Sequence, residues 1–132
     1  MIPNITKISS KADNLRLVEK LIDDVCQVYK VNEDAYGNIL IAVTEAVNNA
    51  INHGNQNNPN KFVNIGFKTD NKQLVFSVSD EGSGFNYTDL PDPTDPTNID
   101  KPNGRGVFLM KNLADSIEFI QNGKTVLLAF NN

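Results

Sequence analysis

The chain is poor in the residues that build disulfide frameworks and metal clusters: its 132 residues include one cysteine, one histidine and no tryptophan. Cys26 cannot form an intramolecular disulfide, and its neighbours Val25 and Val28 predict a small buried hydrophobic side chain. No apolar run reaches the length of a membrane span, and the N-terminal stretch lacks the basic and apolar regions of a signal peptide. We therefore expect a cytoplasmic protein that does not contact a membrane.

The chain also has no excess of basic over acidic residues. Twelve Lys and Arg residues stand against sixteen Asp and Glu residues, which gives a net charge of -4. Because no positive field is available to attract nucleic acid, direct nucleic-acid binding is not expected. The length and the hydrophobic content of 39% suit one domain with a core, so we predict a single domain over residues 1–132.

The hydrophobic pattern changes along the chain from a helical to a strand period. Apolar residues alternate at an N-terminal edge strand, recur at helical spacing in two helices, and alternate again in two strands; these segments are 2–9, 14–29, 32–53, 63–68 and 74–78. After a loop and a third helix, an Asn122-Gly123 turn predicts a final hairpin. This order predicts an α+β two-layer sandwich, with the helices on one face of a mixed, mostly antiparallel sheet.

Polar residues mark the predicted ends of the helices. Ser10 and Asp13 are candidate caps of the first helix, Asn32 is the candidate N-cap of the second, and Gly54 is its candidate C-cap. Residues 55–60, which include a proline, predict a polar turn after the second helix.

The second helix carries an unusual polar face. At about 100° per residue, Glu45, Asn48, Asn49 and Asn52 fall in one arc, opposite an apolar arc that would face the core. Asparagine is a mediocre helix former, because its amide competes for backbone partners. Three asparagines on one face therefore favour a ligand-binding role, with a merely solvated face as the alternative.

An acidic residue, Asp80, lies at the end of the strand predicted over residues 74–78. Asp80 has the same parity as Phe76 and Val78, so a regular strand would direct its carboxylate toward the covered side of the sheet, where it must find a partner. Gly82 and Gly84 follow at once and permit a close approach of backbone to a ligand.

Between the two glycine-containing segments lies a stretch rich in proline and aspartate, at about 88–103. Its composition excludes a helix or a central strand, and its position predicts a lid, with an inert surface loop as the alternative. Gly104 and Gly106 then open the third helix, whose N-terminal N–H groups and nearby Arg105 would suit an anion.

In this order, the motifs resemble the ATP-binding (Bergerat) fold shared by gyrase B subunits, Hsp90, histidine kinases and MutL. The residues that match its three boxes are Glu45, Asn49 and His53, then Asp80, Gly82 and Gly84, then Gly104 and Gly106. The stretches EAVNNAINHG and GRGVFLM look most like those of the anti-sigma-factor serine kinases of bacterial partner-switching systems. The resemblance covers nearly the whole chain.

The resemblance implies ATP and Mg²⁺ as cofactors. Asn49 would be the metal ligand, Glu45 would accept the proton of an attacking hydroxyl, and Asp80 would accept a hydrogen bond from the adenine amino group. His53 would be structural. The other implied nucleotide-binding residues are Gly82, Gly84, Lys101, Gly104, Arg105, Gly106, Val107, Phe108 and Thr125.

Two positions depart from the family pattern. The family often has a threonine directly after the glycine of the final hairpin, whereas this chain has Lys124 there and Thr125 one place later. A shift of one residue moves a side chain to the other face of the strand unless the turn adjusts. Arg16 is also a poor match to the basic residue with which those kinases contact a partner, so the partner surface does not transfer in detail.

The implied function is phosphorylation of a serine or threonine on an anti-anti-sigma protein of the STAS type, together with sequestration of a sigma factor; a homodimer is a further implied assembly. The first alternative is an ATP-binding switch module without catalysis, against which the presence of Glu45 argues. The second alternative, a detached catalytic domain of a histidine kinase, is weaker because the only histidine lies within the nucleotide motif.

Overall fold

A computed structural model describes residues 5–70, 72–82 and 102–132, with only the backbone described for residues 102–107. Three helices and five strands occur within these ranges. In chain order the elements are β1 (Ile5–Ser9), α1 (Leu15–Val28), α2 (Glu33–Asn49), β2 (Phe62–Asp70), β3 (Gln73–Ser79), α3 (Pro102–Leu113), β4 (Ser116–Ile120) and β5 (Thr125–Asn131). Most of the predicted lid, like Lys101 and Gly84, lies outside the described residues.

The five described strands form one sheet in the order β1-β2-β3-β5-β4. All four pairings are antiparallel, so the prediction of a mostly antiparallel sheet is confirmed, and no parallel pairing occurs among the described strands. β1 is an edge strand, as its composition predicted. The central strands β3 and β5 bring Asp80 and the final hairpin to the same end of the sheet, since Ser79 pairs with Thr125.

The helices cover one face of this sheet, and the core lies between the two layers. Alternate residues of β2 and β3 are buried against the helices, as the period of two predicted. The predicted core arc of α2 is buried throughout: Ile39, Val43, Ala46, Val47 and Ala50 are each at most 5% exposed. Cys26 is also buried, which confirms its prediction as a small core residue.

The predicted caps have mixed outcomes. Asn32 caps α2, because its Oδ1 accepts a hydrogen bond of 2.8 Å from the N–H of Ala35. The prediction of Ser10 or Asp13 as cap of α1 was wrong: a 3-10 turn over Ala12–Asn14 precedes the helix, and Asn14 at the N-cap position makes no side-chain capping bond. The Ser10 hydroxyl donates instead to the carbonyl of Lys61.

The final hairpin forms where the Asn-Gly pair predicted it, although its turn is longer than two residues. The last strand pair is Ile120 with Thr125. The turn contains three residues in succession with positive φ, namely Gln121 at 54°, Asn122 at 60° and Gly123 at 85°. Asparagine and glycine tolerate this region best, which explains why the sequence signal was reliable.

The second helix ends in a π-helical turn over Ala50–Gly54, closed by a hydrogen bond of 2.8 Å from the N–H of Asn55 to the carbonyl of Ala50. The prediction of Gly54 as the C-cap was wrong by one residue, because Gly54 is the last residue of the turn and Asn55 occupies the C-cap position. Gly54 is needed for a different reason, a close contact with Asp80.

None of the helices in the described ranges combines the length and the apolar character that a membrane crossing requires.

Candidate functional site

The site is built around a close approach between the end of α2 and the end of β3. A Cβ atom placed on Gly54 would lie 2.2 Å from Oδ2 of Asp80, and one placed on Gly82 would lie 2.1 Å from the carbonyl oxygen of Gly54. Real Cβ atoms do not come so close to other atoms. The three residues therefore pack tightly at these two glycines, and the Asp80 carboxylate lies directly against the end of the helix.

Two hydrogen bonds to other parts of the fold and one within the turn hold Asp80–Gly82. The N–H of Asp80 donates to the carbonyl of Lys124 at 3.0 Å, and the N–H of Glu81 donates to Oδ1 of Asn55 at 2.7 Å. Within the turn, the N–H of Gly82 donates to Oδ1 of Asp80 at 2.8 Å. This last bond occupies one carboxylate oxygen and sets the orientation of the group.

The environment of Asp80 is partly desolvated. The residue is half-buried, and burial raises the pKa of its carboxyl above the ordinary value. The hydrogen bond from Gly82 and the positive charges of Lys124 and Lys61 lower this pKa, but burial is the largest effect. A carboxylate that is held in place and partly dehydrated is suited to accept a hydrogen bond from a polar ligand group. The prediction from strand parity that Asp80 faces the covered side agrees with its contact with Gly54.

The polar arc of α2 separates into two pairs. Asn52 donates to Oδ1 of Asn48 at 2.9 Å, so these two amides bond each other along the helix. Glu45 and Asn49 are half-buried, and within the described ranges neither side chain makes a hydrogen bond or ion pair. They lie one turn apart on the same helix that ends against Asp80. Glu45 and Asn49 are therefore the members of the arc that are available for a ligand.

Glu45 and Asn49 do not form a complete magnesium site without a bound phosphate ligand. Within the described ranges, no group of three or more His, Cys, Asp or Glu side chains could hold a metal. The amide oxygen of Asn49 is a hard ligand, and Mg²⁺ accepts few protein ligands when phosphates and water complete its shell. Asn49 would therefore hold Mg²⁺ together with a nucleotide rather than alone.

The structure describes only the backbone of the third motif, Gly104 and Gly106. The backbone of Gly104, Arg105, Gly106 and Val107 is helical, within the first turns of α3, and α3 packs against α2. The second helix thus packs against α3 and meets the turn Asp80–Gly82 through Gly54, at the end of the π-helical turn. Phe108 is 39% exposed, which leaves an aromatic surface near the start of α3.

Thr125 is not brought to Asp80. It pairs with Ser79, and directly opposed residues of an antiparallel pair share a face, so Thr125 points to the side of the sheet opposite to that of Val78 and Asp80. Its hydroxyl donates to Oε1 of Gln121 at 3.0 Å and lies 2.8 Å from the Ser79 hydroxyl. The long turn does not reverse the shift of one residue, and this register argues against a nucleotide contact by Thr125, which stays a prediction.

Three residues near Asp80 were missed from the sequence. Asn55, predicted as part of a polar turn, is fully buried and bonds the turn Asp80–Gly82. Lys61 and Lys124 place positive charge near the carboxylate. Only Lys124 had a sequence signal, since it stands where the family often has a threonine. His53 lies exposed in the π-helical turn, and the structural role expected for it stays a prediction.

Comparisons with known proteins identify the family of this chain. The family model described as the histidine kinase-like ATPase domain matches residues 8–130. The serine-protein kinase RsbW of Bacillus mycoides is 28% identical over 129 residues, which cover 92% of this chain and 80% of that protein. Its counterpart in Oceanobacillus iheyensis is 24% identical over 118 residues, covering 85% and 75%.

A solved structure shows the same fold. The histidine kinase domain of the blue-light activated histidine kinase EL346 from Erythrobacter litoralis superposes with a TM-score of 0.52 at 17% identity. The match covers 88% of this chain and 59% of that chain. At this identity the likeness concerns the arrangement of helices and strands.

Proposed function

We propose that this chain, which belongs to the histidine kinase-like ATPase domain family, is a protein serine/threonine kinase that uses Mg²⁺ and ATP. Its acceptor would be a serine or threonine of an anti-anti-sigma protein of the STAS type. It would also sequester a sigma factor in the cytoplasm. The similarity to the serine-protein kinases RsbW supports this proposal at the level of the whole chain.

The observation that carries the nucleotide part of the proposal is the orientation of Asp80. One carboxylate oxygen is held by the N–H of Gly82, and burial at the end of α2 excludes part of the solvent. The amino group of adenine would donate to this carboxylate, which a guanine carbonyl at the same place could not do. Asp80 would therefore provide selectivity for adenine over guanine.

The kinase part rests on the two members of the polar arc that have no hydrogen-bond partner among the described residues, Glu45 and Asn49. Bound Mg²⁺ would neutralise charge on the phosphates, and the amide oxygen of Asn49 would hold it there. Glu45 would accept the proton of the attacking hydroxyl. In that step, the hydroxyl oxygen bonds to the γ-phosphorus, the bond from that phosphorus to the β–γ bridging oxygen breaks, and ADP leaves.

Phosphorylation would also explain release of the partner. A phosphate group on the acceptor adds negative charge at the interface with a chain that is itself acidic, at -4. The anti-anti-sigma protein would then dissociate, and the kinase would be free to hold its sigma factor.

The role of Asn49 in binding Mg²⁺–ATP is tested against its neighbour Asn48. Calorimetry with Mg²⁺–ATP should show that Asn49→Ala binds at least about tenfold more weakly, the cost of one lost charge-assisted ligand. Asn48→Ala is the control, because the Asn48 amide is already bonded to Asn52. Its affinity should stay near that of the wild type.

Catalysis is tested separately with radiolabelled ATP and a purified anti-anti-sigma protein of the STAS type. Glu45→Ala should bind Mg²⁺–ATP normally and transfer phosphate about 10² to 10⁴ times more slowly, as expected for loss of a general base. Tight binding of ATP with no transfer to such a partner, together with no effect of Glu45→Ala, would favour the non-catalytic switch module.

A further inference from the structure

Asn55 forms the centre of a buried hydrogen-bond network that joins distant parts of the chain. The residue is fully buried, at 0% exposure. Its Nδ2 donates to Oγ of Ser10 at 2.9 Å and to the carbonyl of Phe62 at 3.0 Å. Its Oδ1 accepts from the N–H of Glu81 at 2.7 Å. The amide therefore uses both of its hydrogens and its oxygen.

These partners come from three elements. Ser10 follows β1, Phe62 begins β2, and Glu81 belongs to the turn after β3. A buried asparagine with one missing partner would be costly, so the network holds the three segments at defined positions. Only the bond from Oδ1 reaches the turn that carries Asp80.

The side chain of Glu81 reinforces the same arrangement. Its Oε2 accepts a hydrogen bond from the N–H of Phe62, whose carbonyl accepts from Asn55. Asn55 and Glu81 thus connect β2 to the turn by two routes, one through an amide and one through a carboxylate. The N–H of Asp80 is held separately by the carbonyl of Lys124.

We propose that Asn55 is a positioning residue for nucleotide recognition: its amide oxygen fixes the Glu81 peptide and thereby the orientation of the Asp80 carboxylate before any ligand arrives. The inference rests on the proposed function, since it assigns Asn55 a role toward the same nucleotide. Asn55 itself would not touch the nucleotide, because it is covered by protein.

The first experiment compares two variants of the same network. Asn55→Ala removes the acceptor of the Glu81 N–H, whereas Ser10→Ala removes one acceptor of the Asn55 Nδ2 group and the hydroxyl donor to the Lys61 carbonyl, and leaves the acceptor of Glu81 in place. Both variants leave buried polar groups unpaired, so both should lower the melting temperature. Calorimetry with Mg²⁺–ADP should show an affinity loss of about tenfold or more for Asn55→Ala and less than about twofold for Ser10→Ala.

The second experiment needs no variant and decides the matter even where Asn55→Ala does not fold. Amide hydrogen exchange of the wild-type protein without nucleotide should show the Glu81 N–H protected, because its acceptor is already in place. An unprotected Glu81 amide would overturn the inference. Equal affinity losses in both variants, or none in Asn55→Ala, would also overturn it while leaving the proposed function intact. Failure of the wild type to bind Mg²⁺–ADP or Mg²⁺–ATP would overturn both.

Discussion

The Asp80 carboxylate fills the space that a side chain on Gly54 would need. A Cβ at position 54 would lie 2.2 Å from Oδ2 and 2.3 Å from Cγ of Asp80. The two residues are far apart in the chain, and the contact exists because the π-helical turn ends against the residue that follows a central strand. The glycine is therefore part of the site, although it offers no functional group.

Gly54→Ala should weaken both nucleotide binding and the fold. The carboxylate is the movable partner in the contact, so Asp80 should rotate away from its orientation rather than force the layers apart. We expect Mg²⁺–ADP affinity to fall by about tenfold or more, and the free energy of unfolding to fall by about 1–3 kcal/mol. Calorimetry and urea denaturation measure the two quantities.

Gly37→Ala is the control for this variant. Gly37 lies within α2, and a methyl group added to it would meet no heavy atom within 4 Å outside the neighbouring helix backbone. Alanine should raise the free energy of unfolding by about 0.5–1 kcal/mol, because it lowers the entropy lost on helix formation. Nucleotide affinity should not change. A similar loss of affinity in both variants would contradict the role of the contact between Gly54 and Asp80.

Asp80→Asn should keep or raise the stability of the fold while it weakens the recognition of adenine. Burial raises the pKa of Asp80 in the folded protein, so the stability contributed by this group is full below the unfolded-state pKa and is lost as the pH rises through the folded-state pKa. At pH 7 the variant should therefore be as stable as the wild type or more stable, and this gain should vanish in acid. The amide oxygen can still accept from Gly82.

The same variant should lose preference for adenine. An amide presents one acceptor oxygen instead of two, and that oxygen is occupied by the N–H of Gly82. Titration with ATP and GTP should show selectivity in the wild type and little in Asp80→Asn. Equal affinity of the wild-type protein for ATP and GTP would remove Asp80 from this role.

Lys124→Met should move the pH dependence of nucleotide binding. The adenine amino group needs the ionised carboxylate, so affinity should fall as the pH decreases through the raised pKa of Asp80. The charge of Lys124 lowers this pKa, and its removal should shift the loss of affinity to higher pH. Calorimetry at a series of pH values, from the ordinary carboxyl range up to neutral pH, measures the shift. Lys68→Met, at an exposed position, should leave the profile unchanged.

Thr125→Val tests the register of the final hairpin. Valine keeps the shape and the strand preference but cannot bond to Ser79 or Gln121. We expect a loss of about 0.5–1.5 kcal/mol in the free energy of unfolding and an Mg²⁺–ADP affinity within about twofold of the wild type. A tenfold loss of affinity would place Thr125 in the nucleotide site and contradict the register argument.

Local patterns in the sequence were sufficient for most of the architecture. The helical period of α1 and α2, the alternation in β2 and β3, and the Asn-Gly pair of the last hairpin each depend on neighbours a few residues away. The two glycine motifs and the polar face of α2 were found for the same reason. Strand parity also predicted the direction of the Asp80 side chain.

The role of Asn55 could be decided only by the tertiary structure. Its partners Ser10, Phe62 and Glu81 lie 45, 7 and 26 residues away along the chain, so no local pattern distinguishes it from an ordinary turn asparagine. The pairing of Asn48 with Asn52, which leaves Glu45 and Asn49 without a partner among the described residues, also appears only in the folded chain.

The sequence by itself determined the order of the elements, the buried faces and the residue types available for nucleotide chemistry, because these follow from hydrophobic period, turn preference and side-chain functional groups. The tertiary structure decided why position 54 must be glycine, which amides of α2 bond each other, and which side of the sheet Thr125 faces. Each of these depends on how closely two segments approach or on the register of two strands, and the packing of the whole domain sets both.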